Sequence, residues 1–401
     1  MLIHWIWLSQ LTGITTAQKL SLLQRFRDPE EIFNAQRVAL TEGVEMSEKA
    51  LAALSDKNLV QARKILDDCA EKSISILTYG DGAYPSKLKN IHNPPLVLYY
   101  KGCLPDWEHR PAIGMIGTRK ASPYGLQIAE KLGNQIAGCG ALVVSGGADG
   151  IDTQALMGAL QTGKKVVAVF GCGADMIYPA KNKQLFAQIE KQGCLLTEFC
   201  PGTPPSSWNF PHRNRIISGL SSGVVIVEAP ERSGALNTAS HAADQGRDIF
   251  VVPGNINNPN CAGSNRLLRE RALAVFTGWD VVSEYESLYP GTVSRYEGAA
   301  ESPAVAQMAA HPGLKPIQNQ KADKNSIDNP EKSKYSVEEN VQLNLTAEEQ
   351  AVLRFVTKQP VSVDEVIAAA QLPAGKVLSV LTMLAMKGAV KNHPGKCVSL
   401  K

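Results

Sequence analysis

The chain reads as an α/β protein built on a doubly wound, mostly parallel sheet. Three observations lead there. Between residues 74 and 285, short runs of apolar and β-branched residues alternate with amphipathic helical stretches. The runs are apolar on both faces, as strands must be when helices cover both sides of a sheet. Most of them end in a glycine-bearing turn, and such sheets bind ligands beyond the carboxyl ends of their strands.

Residues 1–73 predict a small all-helical module of the SAM or helix-hairpin-helix kind. Its first stretch, Met1-Leu2-Ile3-His4-Trp5-Ile6-Trp7-Leu8, lacks a basic flank and turns polar at Ser9-Gln10, which reads as a buried helix rather than a signal. Leu11-Thr12-Gly13-Ile14 then precedes Leu20, Leu22, Leu23 and Phe26 at helical spacing. Only one glycine of the usual hairpin pair is present, which argues against direct DNA contact here.

Residues 74–290 carry the sheet. Its expected strands are Leu96–Tyr100, Ala112–Ile116, Ala141–Ser145, Lys165–Phe170, Cys194–Thr197, Gly223–Val227 and Asp248–Val252, with helices over Leu126–Ile136, Ile151–Leu160 and Ala235–Gln245. Residues 291–341 shift to Ala, Pro, Asn, Gln, Ser and Lys with little periodicity, as in a disordered linker. Residues 342–401 show two capping boxes, Thr346-Ala347-Glu348-Glu349 and Ser362-Val363-Asp364-Glu365. A third helix with Val377, Leu378, Leu381, Leu384 and Met386 follows, then a hairpin turning at His393-Pro394-Gly395. That is a winged-helix pattern. Its third helix offers mainly Lys376 and Lys387 and no Arg, Asn or Gln for base edges, so protein or backbone contact is expected ahead of base reading.

A net charge of +3 over 401 residues means that any nucleic-acid site is a local patch. Eight cysteines without a CxxC pair suit reduced thiols in the cytoplasm, and no spacing suits a zinc site. No stretch is long and apolar enough for a membrane span.

The candidate site lies in the glycine turns and one basic segment. Gly117-Thr118-Arg119-Lys120, Ser145-Gly146-Gly147-Ala148-Asp149-Gly150, Gly171-Cys172-Gly173, Ser233-Gly234-Ala235 and Pro253-Gly254-Asn255 follow strands and precede helices. Glycine allows close backbone approach, and each helix start favours negative charge. Trp208-Asn209-Phe210-Pro211-His212-Arg213-Asn214-Arg215 adds two arginines where a helix is expected to begin, so that backbone N–H groups and guanidinium donors converge on one anion. The competing reading pairs one arginine with a carboxylate such as Glu198 or Glu228. Phe210, with Trp208 second, offers a base-stacking face or else packs in the core.

Familiar phosphate motifs fail. Gly158-Ala159-Leu160-Gln161-Thr162-Gly163-Lys164-Lys165 has lysine where a P-loop needs Ser or Thr, and it precedes a strand. The dinucleotide fingerprint lacks its third glycine. Ser145, Asp149, Asp152, Asp175 and Glu228 lack an adjacent histidine to activate a nucleophile. Asp149 and Asp152 read better as caps or as orienters of Arg119 or Arg213.

These residues resemble the DprA (Smf) family. The resemblance is carried by Ile116-Gly117-Thr118-Arg119, Ser145-Gly146-Gly147-Ala148-Asp149-Gly150-Ile151-Asp152, Gly173-Ala174-Asp175-Met176-Ile177-Tyr178-Pro179-Ala180-Lys181-Asn182, Phe210-Pro211-His212-Arg213-Asn214-Arg215, Ser233-Gly234-Ala235-Leu236-Asn237-Thr238 and Val252-Pro253-Gly254. It implies an extended Rossmann-like sheet that binds single-stranded DNA at its strand ends. It also implies a cytoplasmic homodimer that protects incoming DNA and loads the RecA recombinase in natural transformation, without a cofactor and without turnover. By position, Gly117, Thr118, Arg119, Ser145, Gly146, Lys181, Asn182, Phe210, Arg213, Asn214, Arg215, Ser233 and Gly234 would meet the strand. Arg271, where the family usually has glycine, and Asn237, where an apolar residue is commoner, depart from the pattern. A nucleotide-processing hydrolase akin to nucleoside-phosphate glycosidases is the alternative, but the segment Ser233–Thr238 lacks the Pro-Gly-Gly-x-Gly-Thr turn of such enzymes.

Overall fold

The computed structural model describes residues 2–296 apart from 44 and 271, and residues 347–400 apart from 358–360, 371, 373, 388 and 394–396. They fall into two units, each with a core of its own.

Six helices open the first unit: α1 (Leu2–Gln10), α2 (Thr16–Phe26), α3 (Pro29–Asn34), α4 (Arg37–Thr41), α5 (Glu48–Ser55) and α6 (Val60–Glu71). The apolar N-terminal stretch is a helix with Ile6, Trp7 and Leu8 buried. A capping box between Thr15 and Gln18 starts α2. The helices do not close their core alone. Leu22, Leu54 and Ile65 pack with Leu96, Val97 and Tyr99 of the sheet that follows.

That sheet and its helices run β1 (Ser75–Thr78), α7 (Ser86–Lys89), β2 (Val97–Gly102), β3 (Ala112–Ile116), α8 (Pro123–Gly138), β4 (Leu142–Ser145), α9 (Ile151–Leu160), β5 (Val166–Val169), α10 (Lys183–Gln192), β6 (Cys194–Thr197), α11 (Asn209–Leu220), β7 (Gly223–Ile226), α12 (Gly234–Asp244), β8 (Asp248–Val251), α13 (Ala262–Arg269), β9 (Leu273–Ala274) and α14 (Gly278–Val282). The strand order is β1-β2-β6-β5-β4-β3-β7-β8-β9. Strands β3 to β9 are parallel, and β2 joins β6 antiparallel with β1 outside it. The seven expected strands are all present within a residue or two, and β1 and β9 are added at the edges.

Alternation along the strands builds two apolar layers. Ile113 and Met115 of β3 pack with Leu132 and Ile136 of α8 and Leu156 of α9. Ala112 and Ile116 face the other way, onto Ile216, Ile217 and Leu220 of α11. The chain winds outward from β3 to β6, then returns to β7 on the other side of β3. The carboxyl ends of β3 and β7 are therefore the switch point where such sheets leave a crevice. Residues 292–296, read from sequence as linker, pack back on α8: Val293 is buried and the Ser294 N–H donates to the Cys139 carbonyl at 3.1 Å. The rest of the expected linker, residues 297–341, and the departure at Arg271 lie outside the described residues.

The second unit comprises α15 (Ala347–Leu353), β10 (Val361–Ser362), α16 (Val363–Ala370), α17 (Ala374–Met386), β11 (Val390–His393) and β12 (Cys397–Leu400). Its antiparallel sheet has the order β10-β12-β11. Val352, Val366, Val377, Leu381, Leu384 and Val398 form its core, while Leu378 is half exposed. Three helices and a small sheet make a winged helix. Thr346 and the turn at Pro394-Gly395 lie outside the described residues. Among the described residues no helix is long and apolar enough to cross a membrane.

Candidate nucleic-acid interface

An open cleft of about 680 Å³ lies at the ends of β3 and β7. Gly117, Thr118 and Arg119 form one wall, the first turns of α11 another, and Ser233 and Gly234 at the start of α12 close one end. Gly117 is required by close approach, because a methyl group there would stand 2.5 Å from Ile151 Cγ1 and 2.9 Å from the Glu228 carbonyl oxygen. The Thr118 N–H donates to that carbonyl at 2.7 Å, and its hydroxyl accepts from the Lys120 N–H at 3.2 Å. This fixed turn leaves the Arg119 side chain exposed. The Arg119 guanidinium lies 5.1 Å from the centroid of the Phe210 ring, and the Tyr178 ring centroid lies 5.4 Å from that of Phe210. A cation and two π-faces thus stand together at the cleft wall.

Arg213 also lines the cleft, yet it is 4 % exposed and heavily engaged. Its Nη1 donates to the carbonyls of Gly146, at 2.8 Å, and Val169. Beneath it Asp152 accepts from the N–H groups of Gly146 at 3.1 Å and Ala148 at 3.4 Å. Burial pushes Asp152 up to about 6, opposed by Arg213 and by those N–H groups. Burial likewise lowers Arg213 to about 10, opposed by Asp152. Both remain charged near neutrality, so Arg213 is already half-compensated. Asn214 donates to the Gly234 carbonyl at 3.2 Å and to Asn237 Oδ1 at 3.4 Å. Those bonds tie α11 to α12 and give the unusual Asn237 a polar partner.

Several expectations are corrected. The helix begins at Asn209, so Arg213, Asn214 and Arg215 sit one turn inside it and not at its free N–H groups. The two arginines do not converge. Arg215 faces away and forms a two-pronged pair with Glu198, Nη1 to Oε1 at 2.9 Å and Nη2 to Oε2 at 2.6 Å, with His212 at 3.4 Å. The carboxylate pairing is therefore realised at Arg215. Burial opposes ionisation of Glu198, but His212 and Arg215 outweigh it and hold the carboxyl below its usual range. Ser145 is fully buried, and its hydroxyl donates to the Met115 carbonyl at 2.6 Å. Asn182 is buried too, donating to the Gly147 carbonyl at 3.0 Å and Thr153 Oγ1 at 2.8 Å. Gly146 lies in a small recess under Phe210. Lys181 pairs with Asp149 at 3.0 Å and lines a neighbouring cleft of about 370 Å³ with Arg119 and Lys120.

Gly117, Thr118, Arg119, Phe210, Arg213, Asn214, Ser233 and Gly234 therefore meet in one cleft, while Ser145, Gly146, Lys181, Asn182 and Arg215 lie outside it. Trp208 stands outside it as well, 85 % exposed. Lys120 of the first glycine turn lines the cleft too, and Tyr178, Arg232 and Asn260 join the lining without having been singled out. Tyr178-Pro179 was visible as a motif, but nothing in its spacing says that it meets Phe210. Among the described residues no group of three or more His, Cys, Asp or Glu side chains is arranged to hold a metal ion.

The chain is similar to known proteins along most of its length. Residues 75–286 match the family described as DNA recombination-mediator protein A, and residues 338–396 match the DprA winged helix domain. Protein Smf of Synechocystis sp. is 31 % identical over 415 residues, spanning 98 % of this chain and 97 % of that one. The DNA processing protein DprA of Streptococcus pneumoniae is 42 % identical over 218 residues, 53 % of this chain and 74 % of its own. The X-ray structure of DprA from Streptococcus pneumoniae superposes with a TM-score of 0.62 at 32 % identity, covering 71 % of this chain and 98 % of that one. The chain belongs to the DprA (Smf) family of DNA-processing proteins.

Proposed function

We propose that the chain binds single-stranded DNA in the strand-end cleft and acts as a mediator that protects incoming DNA and loads the RecA recombinase in natural transformation. The observation that carries the reading is Arg119 over Phe210, beside Tyr178, in an open cleft. A cationic groove with aromatic faces suits a strand of any sequence, because phosphates supply the charge and every base has a π-face. The recombination-mediator description of the matched family supports the RecA step. Action as a cytoplasmic homodimer follows from the same resemblance.

Binding without turnover is part of this reading. The two carboxylates best placed for acid-base work are committed elsewhere. Asp152 holds backbone N–H groups, and Glu228, fully buried, accepts from the Ser122 N–H at 2.9 Å and from the Ser122 hydroxyl. Neither can swing toward a substrate without orphaning those donors. The test is filter binding of single- and double-stranded oligonucleotides across a salt series, with Arg119→Ala and Phe210→Ala. The expected result is a preference for single strands that weakens in both variants whatever the base sequence. Folded variants that bind like the parent would overturn the site.

A further inference from the structure

A second cleft, of about 370 Å³, opens on another face of α11. One wall is the α1–α2 turn with Ser9, Thr15 and Lys19, and the facing wall is Asn93 to Val97 leading into β2. His212 and Arg215 of α11 form its floor. Neighbouring residues of α11 thus serve two clefts, Pro211 the first and His212 the second.

Charge in the second cleft is unbalanced. Its carboxylate, Glu198, is taken up by Arg215 and His212. Lys19 is 7 % exposed, and its Nζ donates to the carbonyls of Ser9 at 3.0 Å and Leu11 at 2.9 Å. Among the described residues no carboxylate pairs with it. Burial lowers it to about 8, so it keeps most of its charge at neutral pH. An ammonium group has three N–H donors, and two are used here. A buried cation without a counter-charge at the wall of an open cleft is costly unless an anion completes it. Just before α11, and so next in the chain to residues that serve both clefts, stands the exposed indole of Trp208.

We propose that a strand filling the first cleft continues over the start of α11, past Trp208, and sets a phosphate against Lys19. The helical N-terminal module then forms the second wall of one extended single-strand site, which rests on the single-strand reading above. Adjacency of Pro211 and His212 favours a continuing phosphodiester chain over a separate small anion.

The test compares short and long oligothymidylates, on the order of 6 and 16 nucleotides in keeping with the site sizes of single-strand binders, on the full chain. For the parent, the long oligonucleotide should show the steeper dependence of log K on log salt. Lys19→Gln should reduce the long-oligonucleotide slope by about 0.7, the value of one single-strand phosphate contact, and leave the short one unchanged. Trp208→Ala, at an exposed position that does not threaten the fold, should weaken the long oligonucleotide alone. Equal losses for both lengths in Lys19→Gln mean a merely structural lysine and overturn the proposal. So does a long-minus-short difference that survives both variants, or one abolished in the parent by millimolar inorganic phosphate that leaves short binding intact. If Lys19→Gln fails to fold, the Trp208→Ala comparison decides. A parent that binds neither length refutes the single-strand reading itself, which is a different result.

Discussion

Arg119 and Arg215 are both arginines beside an apparent phosphate site, and the fold assigns them opposite work. Arg119 is exposed and shares its face with Phe210. Arg119→Ala should shrink the salt slope of single-strand binding by about 0.7 with no change in Tm. Arg119→Lys should keep the slope and lose affinity through the missing planar stack. Arg215 is buried against Glu198, and Arg215→Ala leaves that buried carboxylate with only the His212 ring, at a cost of at most about 3–5 kcal/mol of stability. Thermal melting separates the two cases: a lower melting temperature is expected for Arg215→Ala only. The gathering of cations and aromatics around Phe210 was legible in the sequence. Its division of labour was not, because spacing of i and i+2 puts two side chains on different faces without saying which face meets Glu198. Asp152 adds a pH dependence. Its charge is present at neutral pH and lost as the pH falls through about 6. Losing it leaves Arg213 uncompensated at the cleft lining, so strand affinity should rise across that range. Asp152→Asn should hold the higher affinity on both sides, and a parent with flat affinity through that range would refute the coupling.

At the scale of elements, α8 and α9 show why a near-miss motif is structural. Gly158, the first glycine of the P-loop lookalike, lies inside α9, where a methyl group would stand 1.9 Å from the Glu130 carbonyl oxygen of α8. Gly133 of α8 is matched to α9 in the same way, 2.2 Å from the Ala155 carbonyl oxygen. Two glycines let the backbones of α8 and α9 touch. Gly158→Ala should therefore cost about 1–3 kcal/mol and lower Tm by several degrees, with no ATP binding to lose. A Tm equal to the parent's would show that α8 and α9 can separate freely. The central strands were legible because both of their faces are buried, which writes an unbroken apolar run. The edge strands β1 and β9 were not: β9 is two residues long, and its Leu273 is 46 % exposed. The helix α11 starts at Asn209, ahead of the arginines, with Pro211 in its first turn. Proline is tolerated in the first turn, where its missing N–H has no partner to lose.

Across the whole molecule, a winged helix following the α/β sheet was legible from capping boxes and periodicity, but the shared core of the N-terminal helices was not. Contacts such as Leu22 with the segment around Val97 join positions far apart in the chain, and periodicity reports only local faces. The winged helix presents the opposite case, with Val352, Val366, Val377, Leu381 and Val398 closing a core from its own residues. Of the two lysines expected on α17, Lys387 is engaged within the unit, its Nζ 2.7 Å from Glu349 Oε2. That leaves the helix poorly supplied for holding phosphates. The strand-end cleft, by contrast, draws every one of its walls from residues 116–260. Cutting the chain near Asn329 should then leave single-strand affinity and its salt slope unchanged, and leave the melting of the sheet unit where it was. The measurement is filter binding of one oligonucleotide to the full and shortened chains across the same salt series. A tenfold loss is about 1.4 kcal/mol, more than a missing weak backbone contact would explain. A loss of that size in the shortened chain would make the winged helix a principal DNA site, and would mean that strand-end groups such as Arg119 and Phe210 supply only part of the grip.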